Sequence, residues 1–293
     1  MKKNNDIRAI ETLSETTGVD QEVILDIINN QKKHIYYKSI KKGDKKRIIV
    51  SPGYEYKNLL KVIDKKILKK LDLPSAIKGG RKKESIYSNA KLHCEKEEVM
   101  SLDIKNFFPS INSKRVHREL VNRGFSENYA TLIVNLTTCN GKLPQGFPTS
   151  NNIANMVITP MIERLQSLAD KFGLTVTVWV DDITISGSHR VSKFKNLINK
   201  IIVQEAFTVN EKKAIKIMKK TDSQLVTKIN VNSCKPRVQK GYVDNVRASI
   251  HKCSNNSFLL EKNKKSLQGK ISFVKSINKE QGAKLKKQFD SLF

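Results

Sequence analysis

The chain has 293 residues, enough to bury a substantial core as one large domain or as two to three subdomains. Its 55 Lys and Arg against 28 Asp and Glu give a formal charge of +27 and a pI near 9.9, which calls for a polyanionic partner and excludes an ordinary sign-balanced surface. The lysines are spread along the chain instead of flanking an apolar span or following one apolar helix, so nucleic acid is expected and a membrane surface is not.

Residues 6–30 carry apolar positions at helical spacing interrupted by Gly18, which predicts two short helices. "KHIYYKSIKKGDKKRIIVSP" reads as two β-rich runs around a lysine-rich tip, a hairpin with Gly43 and Asp44 in its turn. Helical periodicity returns over 55–72 and ends before Leu73-Pro74, and a further helix is expected near 84–93. "VMSLDIKNFFPSI" is an apolar strand that runs into Asp103 and the Phe107-Phe108 pair. Residues 113–138 read as helix, and "NGKLPQGFPTS" as a loop opening a long helix to about residue 172. "LTVTVWVDDITISG" predicts a hairpin with Asp181 and Asp182 at its turn, followed by a helix over about 192–206. "FTVNEKKAIKIM" and "QLVTKINVN" are strand-like, and three basic helical stretches follow Pro236. Strands and helices intermix without regular alternation, so the expected class is α+β and not a doubly wound sheet.

Cys94, Cys139, Cys234 and Cys253 have no CxxC pairing or zinc-like spacing and read as reduced packing residues. No N-terminal apolar export segment and no apolar run of membrane-spanning length is visible, so a cytoplasmic location is expected.

Adjacent aspartates between apolar strand runs need a reason, because burying a lone carboxylate is costly. An Asp pair by itself is an ordinary turn device. Asp103 changes the balance, since it places a third carboxylate at the end of another apolar strand. If the two strands share a sheet the acids converge, and they would repel or take up protons unless a divalent cation neutralised them. Magnesium suits such a cluster because it takes few protein carboxylates and keeps positions for substrate phosphates. Two such ions can activate an attacking hydroxyl and stabilise a leaving pyrophosphate, which with the basic excess is the logic of a polymerase.

"VDD" after a strand, "LDIKNFFPSI" upstream and "LPQGFPTS" between them resemble, in order and spacing, the palm motifs of reverse transcriptases. "NAKLH" (89–93) and "LVTKINV" (225–231) resemble the NAxxH and VTG elements of bacterial retron reverse transcriptases, and the likeness covers nearly the whole chain. It implies a right-hand fold with an N-terminal helical segment at 1–30, interleaved fingers and palm over 31–234, and a basic helical thumb at 235–293. It further implies RNA-directed DNA synthesis from dNTPs with two Mg²⁺ ions, Mn²⁺ being a possible substitute. Asp103 and Asp181 would be the metal ligands, with Ile104 lending its backbone carbonyl and Asp182 supporting the cluster. Phe108 would lie beneath the incoming sugar and disfavour a 2′-OH. Gln145 and the Gly146 backbone would line the nucleotide pocket, and Arg47, with Lys45 and Lys46, would meet the triphosphate. Lys213, or Lys212 in the alternative register, would protonate the leaving pyrophosphate. Asn89 and His93 would contact RNA or support the local structure, while Arg247, Lys252 and Lys270 on amphipathic thumb helices would meet RNA phosphates.

The partners so implied are a cognate structured non-coding RNA that is both template and primer, its DNA product joined through a guanosine 2′-OH, a separate effector protein in antiphage defence, and host RNase H. The alternatives are another bacterial reverse transcriptase, of intron-encoded or abortive-infection type, and an RNA-binding scaffold without catalysis. The chain departs from the family pattern at Trp179, where Tyr or Phe is usual, at Asn106, where an acid is frequent, at Gly80, where an aromatic is usual, and at Lys228, where the VTG element has glycine.

Overall fold

The first helices, α1 (Lys2–Thr17) and α2 (Gln21–Asn29), flank Gly18 as the spacing predicts, and they bury Leu13, Ile24 and Ile27. The computed structural model describes residues 2–42, 45–210, 215–254 and 257–292. The expected turn at Gly43 and Asp44, together with Lys212 and Lys213, lies outside the described residues. β1 (Ile35–Lys42) and β2 (Lys45–Pro52) pair antiparallel from Ile35 opposite Pro52 to Lys42 opposite Lys45. Buried Ile35 and Val50 anchor the base of this hairpin, whereas Tyr36 and Ile48 are exposed. In α3 (Tyr54–Lys66) the helical apolar spacing buries Tyr56, Leu59, Leu60 and Ile63 on one stripe. α4 (Ile86–Lys91) is shorter than the expected helix because Ser85 caps it, with Ser85 Oγ accepting from the Ser88 N–H and Ser88 Oγ from the Ser85 N–H.

The remaining elements up to the thumb are β3 (Glu98–Asp103), α5 (Phe107–Ser110), α6 (Ser113–Asn122), α7 (Glu127–Thr137), α8 (Ser150–Lys171), β4 (Leu174–Trp179), β5 (Asp182–Gly187), α9 (Lys195–Gln204) and β6 (Lys216–Lys219). The single helix expected over 113–138 is two, because Gly124 turns the chain at φ +87° and Ser126 caps α7. β3 to β6 form one sheet in the order β4-β5-β3-β6, with every neighbouring pair antiparallel. α8 packs against β4 and is buried on most sides over its first half, enclosing Ile153, Met156, Val157, Met161 and Ile162 together with the polar Asn152, Asn155 and Thr159.

The strand-like stretch "QLVTKINVN" is a tight hairpin, β7 (Leu225–Val226) and β8 (Ile229–Asn230), extended by β9 (Arg237–Val238). Its two turn residues, Thr227 and Lys228, take φ +47° and +69°. The thumb helices α10 (Lys240–Ser254), α11 (Ser257–Ile277) and α12 (Lys279–Asp290) follow. They share a second core with this small sheet: Val226, Ile229 and Val231 meet Val246, Leu267, Val274 and Phe289, and Ala90 of α4 and Val99 of β3 join the same cluster. The arrangement is α+β, and no described helix is long and apolar enough to cross a membrane.

Candidate active site

The register of the central sheet sets Asp103, the last residue of β3, directly opposite Asp182, the first of β5. Trp179 pairs with Asp182, so the β4–β5 turn consists of Val180 and Asp181, one residue earlier than expected. Val180 takes φ +61°, a region that a β-branched residue enters only under constraint. One side of that constraint is the Ile104 N–H, which donates to the Asp181 carbonyl at 3.0 Å. As a result one carboxylate oxygen from each of Asp103, Asp181 and Asp182 lies within 4.8 Å of the other two. Asp103 is only 9 % exposed. An all-oxygen donor set of this kind fits a hard divalent cation, which would relieve the mutual repulsion of the acids.

Asn210, which sequence reasoning missed, grips Asp103 twice: its N–H donates to the Asp103 carbonyl at 2.8 Å and its Nδ2 to Asp103 Oδ2 at 2.9 Å. It lies in the "FTVNEKK" stretch, where the basic residues drew attention instead.

On the neighbouring loop, the Gln145 carbonyl accepts from the Val50 N–H at 2.8 Å, which ties the "LPQG" segment to β2 of the fingers hairpin. Gly146 has φ +124°, and a Cβ there would stand 2.5 Å from the Val50 carbonyl oxygen, so only glycine fits. Ser150 Oγ donates to the Pro144 carbonyl at 2.6 Å and fastens the same loop to the start of α8. Lys45 and Arg47 open β2, where Arg47 pairs with Ile40 in the backbone register. Phe107 is buried against Phe207, with ring centroids 6.1 Å apart. Phe108 meets Phe107 edge-on and stays half-buried, so of the pair it is Phe108 that keeps accessible surface.

Of the two roles expected for His93 and Asn89, RNA contact or local support, their burial fits the second. His93 has no exposed surface, and its Nδ1 and Nε2 lie 2.7 Å from Ser186 Oγ and 2.7 Å from Thr177 Oγ1. Burial, with Lys96 adding to it, pushes its pKa down to about 3, so the ring is neutral and one nitrogen donates while the other accepts. His93 therefore pins the end of α4 to β4 and β5. Asn89 is 1 % exposed, and its side-chain amide has no protein partner among the described residues.

On the thumb, Arg247 lines a cleft of about 710 Å³ together with Tyr87, Lys235, Arg237, Lys240 and Lys279. Five cations there face two acids, Asp244, which pairs with Arg247 at 3.2 Å, and Glu280. Lys252 and Lys270 line a smaller recess of about 220 Å³ between α10 and α11.

The reverse transcriptase (RNA-dependent DNA polymerase) family matches residues 40–235, which contain all three aspartates and the "LPQG" loop. The chain belongs to this family, as an RNA-directed DNA polymerase of the retron type. It is 27 % identical to the retron Ec86 reverse transcriptase of Escherichia coli, over 93 % of this chain and 90 % of that protein. It is 30 % identical to the retron Se72 reverse transcriptase of Salmonella heidelberg (strain 579083-10), over 84 % of this chain and 68 % of the relative. Among solved structures, the telomerase from Candida albicans, in complex with a TWJ fragment of telomeric RNA, superposes with a TM-score of 0.51 at 12 % identity, covering 86 % of this chain and 56 % of that one, a likeness of fold alone.

Proposed function

We propose that this polymerase reverse transcribes part of one cognate, structured non-coding RNA that also supplies the primer, a guanosine 2′-OH, to give a branched RNA–DNA molecule. The observation that carries the reading is the meeting of Asp103, Asp181 and Asp182 within 4.8 Å in a chain of retron type. Asp103 and Asp181, with the Ile104 carbonyl, would hold two Mg²⁺ or Mn²⁺ ions, and Asp182 would support them. When bound, such ions activate the attacking hydroxyl and stabilise the leaving pyrophosphate.

The chain's own residues orient the nucleotide. Gln145 and the Gly146 backbone line its pocket, Arg47 and Lys45 reach its triphosphate, Phe108 excludes a 2′-OH beneath its sugar, and Lys213 protonates the pyrophosphate. Arg247, Lys252 and Lys270 follow the RNA backbone, which would make affinity fall steeply with salt. The division into an N-terminal segment at 1–30, fingers and palm at 31–234 and thumb at 235–293 belongs to the same reading. So do a cytoplasmic setting, removal of template RNA by host RNase H, and a separate effector protein in antiphage defence.

The test is co-expression with the flanking locus and sequencing of the bound nucleic acid, wild type beside an Asp181→Asn, Asp182→Asn double variant. A covalent RNA–DNA product lost only in the variant supports the reading. Bound RNA without DNA in both makes the protein a scaffold, and DNA without a branch makes it another bacterial reverse transcriptase.

A further inference from the structure

The turn that carries Asp181 is braced from below by a segment with no acid in it. Residues 76–79 run parallel to the end of β4: the Val178 N–H donates to the Ala76 carbonyl at 2.8 Å, and the Lys78 and Gly79 N–H groups both donate to the Val178 carbonyl, at 2.8 and 3.1 Å. At the end of that segment Gly79 presses on the turn itself, since a Cβ on Gly79 would stand 2.5 Å from the Val180 nitrogen and 3.1 Å from the Trp179 carbonyl carbon. The Gly79 carbonyl in turn accepts from two asparagines one helical turn apart on α8, Asn155 Nδ2 at 2.9 Å and Asn151 Nδ2 at 3.3 Å. Asn155 is completely buried and its Oδ1 has no hydrogen-bond partner among the described residues. A buried amide kept for one bond, with its oxygen unpaired, is costly unless that bond secures something else.

What it secures is a valine at φ +61° beside a metal-ligand aspartate. We infer that Asn155, helped by Asn151, is a positioning residue for the catalytic turn: it fixes the Gly79 carbonyl, and the Gly79 backbone then holds Val180 and Asp181 in place against the Ile104 N–H on the other side. The helix that does this also receives the Gln145-Gly146 loop at its first residue, through Ser150. One rigid element thus references both the nucleotide loop and the aspartate turn, a supporting shell of the kind that precise catalytic geometry needs. The inference rests on the polymerase reading of the three acids.

The test compares Asn155→Leu, which keeps the branching and heavy-atom count and removes the donor, with Asn152→Leu three residues earlier on the same helix. Asn152 is also buried and donates to Asp64 Oδ1 at 2.6 Å, away from the turn, so it reports the loss of an equivalent bond without the positioning role. Steady-state DNA synthesis on a primed RNA template is measured across a Mg²⁺ titration, with primer–template affinity measured separately. Asn155→Leu is expected to lower kcat roughly 10- to 100-fold and to raise the half-saturating Mg²⁺ concentration several-fold, with affinity for primer–template unchanged. Gly79→Ala, whose new Cβ meets Val180, is expected to do the same. Asn152→Leu should leave both parameters within about 2-fold of wild type, the scatter of a remote substitution. If Asn155→Leu and Gly79→Ala match wild type in kcat and Mg²⁺ dependence, or if Asn152→Leu reproduces their defect, the inference is overturned. If the wild type makes no DNA at any Mg²⁺ concentration, the polymerase reading itself has failed.

Discussion

Asp103 and Asp182 stand directly opposite each other across two antiparallel strands, with Asp181 one residue away in the turn. Like charges in facing positions of a sheet are destabilising by roughly 0.2–1 kcal/mol, a cost to folding that a bound cation would offset. Asp182→Asn should therefore raise the thermal midpoint in EDTA while lowering DNA synthesis by roughly 10²- to 10³-fold, the scale set by removing one electrostatic catalytic group. Added Mg²⁺ should raise the midpoint of the wild type more than that of the variant. A variant less stable than wild type in EDTA would show that the acids serve the fold instead.

The buried His93 makes stability depend on acid. In the unfolded chain its pKa is the ordinary 6.5, and in the folded chain it is about 3, so the unfolded state binds the proton first. The stability held by neutral His93 is fully present above about pH 7 and is lost as pH falls through 6.5 toward 3, reaching about 2 kcal/mol at roughly pH 5. Urea midpoints at pH 8 and pH 5 should differ by more in the wild type than in His93→Gln. Equal differences would mean that the imidazole already takes a proton in the folded state.

Lys228 occupies a left-handed turn position at φ +69°, where a side chain costs roughly 1–2 kcal/mol. Two-residue hairpin turns with positive φ at both centres favour Gly, and Lys228 is exposed, so little burial offsets the strain. Lys228→Gly is expected to stabilise the protein by about 1 kcal/mol, part of the gain being offset by glycine's greater unfolded-state freedom. Denaturant unfolding with an unchanged m-value measures it, and a lower midpoint would refute the strain argument.

Phe107 and Phe108 should separate cleanly on mutation. Truncating buried Phe107 to Ala removes a ring from a filled core and is expected to cost roughly 3–5 kcal/mol. Phe108→Val leaves the core in place, and if the ring screens the sugar the preference for dNTPs over rNTPs should fall about 10-fold or more. Single-nucleotide incorporation with paired dNTP and rNTP substrates gives the ratio, and an unchanged preference would return Phe108 to a packing role.

The order of elements was readable because each rests on local periodicity and turn residues, from the lysine-tipped hairpin to the basic helices. The three acids were readable because apolar strands ending in aspartates are conspicuous. The Val180-Asp181 turn was not, since no local preference assigns φ +61° to a valine; the long-range contact with Gly79 and the Ile104 N–H impose it. The break at Gly124 was visible as a residue but hidden by apolar spacing that continues on both sides. His93 illustrates the deeper limit: its partners Thr177 and Ser186 lie on a hairpin far along the chain, so a motif that looks like a ligand contact is a buried brace. Asn155 was hidden for the same reason, one polar residue among many on α8, with a partner, the Gly79 carbonyl, 76 residues away in sequence.

The thumb helices also serve as a lid over apolar strands. Because Val226, Ile229 and Val231 share their packing with α10 to α12, and Ala90 and Val99 reach into that packing from elsewhere, a fragment ending near residue 234 would leave a greasy surface open to water. Efforts to trim this enzyme to a minimal polymerase should therefore yield aggregates, and a shortened version worth making must carry substitutions that turn those valines and isoleucines polar.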